Sequence, residues 1–264
     1  MTLARTLFVD ITLALAAALP LAAAAHDTWF EALPGPPGQA LLALGTGNQY
    51  PVHDSGIDAQ YLARQGCRSA DPQAPTVALQ AIRNLRTVLL LRAPPGAGMC
   101  WAQLTPFEVQ IAPETVAVYF DDIRAPPAVR AAWAEMTQRG VVWRERYTKH
   151  ARIELGATAP SAAASPMDMD VLIEAGAEPL HAGGPLVAQV LRDGVPLAGL
   201  SVELHSEKGA QSVWRQTDAE GRVQMTLPQP GRWVLRATDL RLSSTEPDRW
   251  ESRFVTLAFT VPLN

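Results

Sequence analysis

The chain has 264 residues, 48% of them hydrophobic and 18% charged, with 26 acidic against 22 basic side chains for a net charge of −4. That balance excludes a disordered polymer, and without any Lys/Arg cluster it excludes a nucleic-acid-binding surface. The length suits one large or two ordinary domains.

Residues 1–25 read as a secretory signal peptide: Arg5 in a short n-region, an apolar run from Ile11 to Leu21, and small residues ending at Ala25. Ala23 and Ala25 fit an A-x-A site, which places the cut before His26. A cut one residue earlier would leave Ala25 first. An amino-terminal histidine offers a metal two donors, its α-amine and its ring Nδ1, whereas an internal histidine offers only its ring. The free amine has a pKa of about 7.7–8.0, so losing its proton to a metal costs little near neutral pH. No other apolar run approaches the ~20 residues that a membrane span requires. The expected location is the periplasm.

Over the whole chain Pro and Gly together make 40 residues, which divide it into many short segments, as an all-β protein requires. Strand-like runs occur at Gln39–Gly45, Arg86–Leu91, Cys100–Gln110 and Thr115–Phe120. One helix is predicted, opening at Pro126-Pro127, running through Met136 and closed by Gly140, with Val129, Trp133 and Met136 on one core face. Tyr147–Leu155 reads as a last strand. The small-residue stretch 156–166 then reads as a linker between an N-terminal β domain, 26–155, and a second domain, 167–264.

The second domain repeats strand and turn signals at short spacing: Leu186–Leu191, Leu200–His205, Val213–Gln216, Arg222–Leu227, Trp233–Ala237 and Phe254–Val261. The expected fold is all-β, two sandwich-like domains with one short helix in the first. Export together with two cysteines, Cys67 and Cys100, predicts a structural disulfide. Their separation of 33 positions corresponds to roughly 3–4 kcal/mol of chain-entropy stabilisation.

Five histidines are present: His26, His53, His150, His181 and His205. His205 ends an alternating strand and reads as a surface or rim residue, and His181 sits in a Gly-rich loop. His53 lies in the polar loop Gly45–Asp54, and His150 in the Tyr147–Leu155 strand. The candidate metal ligands are His26 with His53, His150 or both. Imidazoles and an amine suit Ni(II), Co(II) or Cu(II), copper heading the affinity order, and Asp27 could orient a ring from behind. Such a site binds more tightly as pH rises from 6 to 8, because every ligand must first lose its proton. Asp121-Asp122 would point apart on a strand, so they form no acid–base pair. No nucleophile–base constellation, phosphate loop or hydrolase elbow is present, and the expectation is a non-enzyme.

The motifs Ala25-His26-Asp27-Thr28-Trp29-Phe30-Glu31, Arg144 to Arg152, and Trp250 to Phe259 resemble an exported bacterial family often described as the periplasmic component of cobalt or nickel uptake. His150 stands where that family more often carries an aromatic or small residue. The phrases from Asp193 to Ala237 resemble transthyretin-like or carboxypeptidase-regulatory-like sandwiches. The resemblance implies a transition-metal-binding protein serving uptake or homeostasis, with a metal permease or outer-membrane receptor as partner. The alternatives are a metal-free envelope adhesion or assembly module and a copper oxidase of the histidine-brace type.

Overall fold

A computed structural model describes residues 26–35, 40–69, 71, 74–156, 163–174, 179–209 and 212–263. The expected signal peptide, 1–25, and positions 157–162 of the expected linker lie outside the described residues.

The first half runs β1 (Asp27–Leu33), β2 (Leu41–Gly47), β3 (Ser55–Gly56), β4 (Leu62–Ser69) and β5 (Gln80–Asn84). It continues with β6 (Leu89–Arg92), β7 (Ala97–Leu104), β8 (Phe107–Val109), α1 (Pro113–Asp122), α2 (Pro127–Gln138) and β9 (Glu145–Glu154). The second half holds β10 (Met169–Ile173), β11 (Pro185–Arg192), β12 (Val195–Pro196) and β13 (Ser201–Ser206). It ends with β14 (Val213–Gln216), β15 (Arg222–Thr226), β16 (Gly231–Leu242) and β17 (Trp250–Val261).

The described strands form three sheets, and the fold is all-β and sandwich-like. The largest sheet runs β14-β13-β16-β17-β9-β7-β4, with β8 paired to β9. Its β9–β17 pairing is parallel, so strands from both sides of residues 156–166 share one sheet. Side-chain alternation along β9 and β17 sets what covers each face. Ala151, Ile153 and Ala258 join Phe30, Leu42, Leu44, Leu89 and Leu91 in a core beneath the sheet β1-β2-β6-β5. On the opposite face Val255, Leu257 and Phe259 pack against Val171, Val190 and Val223 of the sheet formed by β10, β11, β12 and β15. The large sheet is therefore the middle layer of three.

Cys67 and Cys100 are directly opposite in the β4–β7 register and form the disulfide, buried in the first core. The helical expectation needs one correction. Thr115–Phe120, read as a strand, belongs to α1, so two helices stand where one was expected. Pro113 occupies the first helical positions and Glu114 the first turn, while Val116, Tyr119 and Phe120 fall on one buried face. The β-branched run Thr115-Val116 and Val118 obscured that period. Both helices cover the end of the middle sheet around Trp133, Trp143 and Trp250. Among the described residues no helix is long and apolar enough to cross a membrane.

Six of the seven tryptophans are buried, as their apolar neighbours suggest. Trp214 is the exception: it lies half-exposed under the guanidinium of Arg124, 4.4 Å from the ring centre.

Candidate functional site

β1, the edge strand of the sheet β1-β2-β6-β5, packs on the middle sheet, and its residues are buried on both sides from Asp27 to Phe30. Phe30 enters the first core, whereas Asp27, Trp29 and Glu31 face β16. They meet Arg236, Val234 and Arg232 in turn: an ion pair of 2.8 Å between Asp27 and Arg236, an apolar contact for Trp29, and a second ion pair between Glu31 and Arg232. Thr256 Oγ1 also donates to the Thr28 carbonyl at 2.6 Å. These rungs fix the direction in which the chain leaves β1 at its amino end.

His26 sits at that end, and Lys149 Nζ donates to its carbonyl at 2.6 Å. Burial lowers the Lys149 ammonium to about 8, with Asp27 opposing the shift. The His26 ring is half-buried. Burial and then Lys149 lower its pKa, partly offset by Asp54 and Asp27, so the ring is neutral at pH 7 and its lone pair is available.

The loop after β2 brings His53 back over β1. Asn48 N–H donates to Asp54 Oδ2 at 2.9 Å, Val52 N–H to the Gln49 carbonyl at 2.7 Å, and Asp54 N–H to the Thr46 carbonyl at 2.8 Å. His53 stacks on Trp29 with ring centres 4.8 Å apart and planes inclined by 21°. Its Nε2 lies 3.3 Å from the Trp29 carbonyl; a carbonyl can only accept, so Nε2 carries the proton and Nδ1 the lone pair. Two glycines permit this packing. A Cβ on Gly45 would sit 2.7 Å from the His53 ring, and one on Gly47 2.7 Å from the Trp29 ring and 2.2 Å from the Val52 carbonyl oxygen. Burial lowers the His53 pKa.

His150 lies elsewhere. It follows Lys149 on β9 and so projects to the opposite face of the middle sheet from the residue that holds His26. There it is 1% exposed, donates Nδ1–H to the Phe254 carbonyl at 2.9 Å, and has no hydrogen-bond partner at Nε2. The structure therefore places His53 over Trp29 of β1, the strand that begins just after His26, and keeps His150 on the other face of the middle sheet. Among the described residues no group of three or more His, Cys, Asp or Glu side chains is placed to hold a metal ion.

Sequence reasoning missed a second set of residues at the same end. Arg236 is a hub for Asp27, Asp122 at 3.0 Å and Glu203. Asp121 instead pairs with Arg130 at 2.8 Å, so the two adjacent acids have separate structural partners. His205, expected at a rim, is largely covered: its Nδ1 lies 3.0 Å from Ser212 Oγ and 3.8 Å from Glu203 Oε1. Alternation on β13 placed His205 outside the C-terminal core, as expected, but that outer face is roofed by β1. His181 has its Nδ1 3.0 Å from the Ala182 carbonyl and stays in its loop.

Residues 23–239 match the family model described as Domain of unknown function (DUF4198). The chain belongs to that family. The matched span contains His26, all of β1, the His53 loop and Arg236, while β17 lies beyond it. Comparison with curated proteins returns no match.

Proposed function

We propose that the protein is an exported carrier of a transition-metal ion, Ni(II), Co(II) or Cu(II), held by His26 as the first residue of the processed chain. One observation carries the reading: His26 is anchored rather than trailing, its carbonyl held by Lys149 and the next residue locked into β1 by Arg236. An amine freed at that residue would stand in a fixed position beside a neutral ring. Pre-positioned donors bind without the ordering cost that a loose terminus carries.

The donor set is small. His26 supplies its amine and ring Nδ1, and no side-chain cluster of three or more ligands completes it among the described residues. Two donors leave positions open to water or to a receiving protein, which suits a carrier that must release its cargo to a permease or receptor. The C-terminal sandwich is read here as a transthyretin-like module that supports the anchored end. Calorimetric titration of Ni(II), Co(II) and Cu(II) into protein beginning at His26 tests the proposal. Stoichiometric binding that His26→Ala removes supports it; binding no tighter than the buffer background overturns it and leaves the ion-free assembly role.

A further inference from the structure

The strand register places an oxygen donor on the side of β2 that faces His26. Asp27 on β1 pairs with Gly47 on β2, so the next residue back, His26, comes opposite Asn48. Residues facing each other in an antiparallel pair have Cα atoms about 4.5–5.5 Å apart. The loop that follows β2 folds back on this point: Asp54 Oδ2 accepts from the Asn48 N–H at 2.9 Å, and the Asp54 N–H donates to the Thr46 carbonyl at 2.8 Å. Asp54 is exposed, and its other oxygen, Oδ1, has no hydrogen-bond partner among the described residues. One carboxylate oxygen is thereby tied to the residue opposite His26 while the other is open to solvent.

The electrostatics of the His26 ring agree with this placement. Burial and then Lys149 lower its pKa; of the two acids that oppose them, Asp54 acts more strongly than Asp27, the covalent neighbour of His26. The other nearby groups are committed elsewhere. Asp27 is buried and paired with Arg236 at 2.8 Å. His53 stacks on Trp29, three residues along β1 from His26, or about 10 Å at the rise of a strand. Sulfur is out of reach as well: the five methionines among the described residues are each 5% exposed or less, and Cys67 and Cys100 are bridged to each other.

We propose, resting on the carrier reading above, that Asp54 supplies the third donor to the His26 chelate and that the site takes a divalent ion, Cu(II) or Ni(II), and not Cu(I). An amine, an imidazole and a carboxylate make a nitrogen–oxygen set of the kind that tetragonal Cu(II) and Ni(II) prefer, whereas Cu(I) is selected by thiolates and thioethers. The amine and ring Nδ1 of one residue close a small ring with the ion, so they lie side by side on it and cannot take the opposed positions that two separate imidazoles can. The carboxylate also brings negative charge to a place where the Lys149 ammonium, bonded to the His26 carbonyl, repels a cation. Three donors still leave a position for water or for a receiving protein.

The test titrates Cu(II) and Ni(II) into the full chain beginning at His26, in a buffer that binds neither ion and in about 1 M sodium nitrate, where exposed charges are screened beyond ~3 Å. Asp54→Asn keeps an oxygen that can accept from the Asn48 N–H but removes the charged donor, and it should weaken both ions roughly tenfold or more. Asp58→Asn removes an exposed charge from the same loop region and should change affinity by less than about twofold. Cu(I), offered to the unaltered protein in competition with bicinchoninate, should stay with the competitor; this arm remains decisive where Asp54→Asn fails to fold. Binding that His26→Ala removes but Asp54→Asn leaves intact overturns this inference alone. So does an equal loss in the Asp54 and Asp58 variants, or Cu(I) held as tightly as Cu(II). No binding of either divalent ion by the unaltered protein defeats the carrier reading itself, and this inference with it.

Discussion

Arg152 gives the most demanding test of how the three layers are joined. It lies on β9, is fully buried, and reaches Glu154 on its own strand at 2.8 Å and Asp170 on β10 at 3.1 Å; both carboxylates are only 2% exposed. It also donates to the Ala163 carbonyl at 3.1 Å, while Asp170 Oδ2 accepts from Ser165 N–H at 2.7 Å. Arg152→Met keeps much of the volume but removes the Arg152 cation from beside two interior carboxylates, Glu154 and Asp170. Breaking a buried pair in this way costs about 3–5 kcal/mol, far more than the pair adds over an apolar replacement. For a chain of this size that corresponds to a Tm lower by roughly 6–20 °C. Urea unfolding followed by far-UV circular dichroism would read the loss directly. Replacing Glu154 and Asp170 by Gln and Asn in the same protein should recover most of it. A loss below ~1 kcal/mol for Arg152→Met, the range of an exposed pair, would refute the reasoning.

Three further outcomes follow from the same layers. Replacing Cys67 and Cys100 together by alanine should lower unfolding stability by roughly 3–4 kcal/mol in urea titrations, since the bridge closes a loop of 33 positions. Burial holds His150 at about 4 against its usual 6.5, with Phe254, Asp168, Arg253 and Arg192 as its other influences. Its folded pKa lies below its unfolded one, so the unfolded chain takes up the proton first. Stability should fall between pH 6.5 and 4, by on the order of 3 kcal/mol in total, and His150→Leu should flatten that part of the profile. Buried Glu145 accepts from Tyr119 Oη at 2.9 Å, Trp143 Nε1 at 3.0 Å and Ser252 Oγ. Glu145→Ala should therefore cost about 2–4 kcal/mol by leaving donors unpaired, measurable as a lower Tm.

Much of the fold can be read from local pattern. Leu200–His205 and Arg222–Leu227 anticipate β13 and β15 within a residue, Val213–Gln216 coincides with β14, and the Pro126-Pro127 signal locates α2. Each of these has a period or a punctuating residue within a few positions. β1 has neither: its Asp27-Thr28-Trp29-Phe30 run is buried on both faces and Glu31 partly so, polar side included, because Arg236 and Arg232 neutralise it from β16. The parallel pairing of β9 with β17 joins residues about a hundred positions apart, and nothing local encodes it.

The candidate site divides in the same way. The importance of His26 rests on its place after a small-residue run, and the loop character of His53 is visible in its turn residues. Strand alternation could have separated His150 from Lys149, but only knowledge of which face covers which core makes that separation decisive. His205 and Glu203 carried the right signal, two polar residues alternating with Val202 and Leu204, yet the lid that β1 places over them comes from the other half of the chain.

The most direct measurement compares two forms of the protein that differ by one residue: one beginning at His26, the other carrying an additional alanine before it. Both retain the His26 ring, His53 and the whole fold, and only the first has its α-amine on His26. Titrating each with Ni(II) and Cu(II) in a buffer that does not bind either ion, the account predicts one tight equivalent for the first form and loss of at least about tenfold in affinity, ~1.4 kcal/mol, for the second. Equal affinity in the two forms would contradict it.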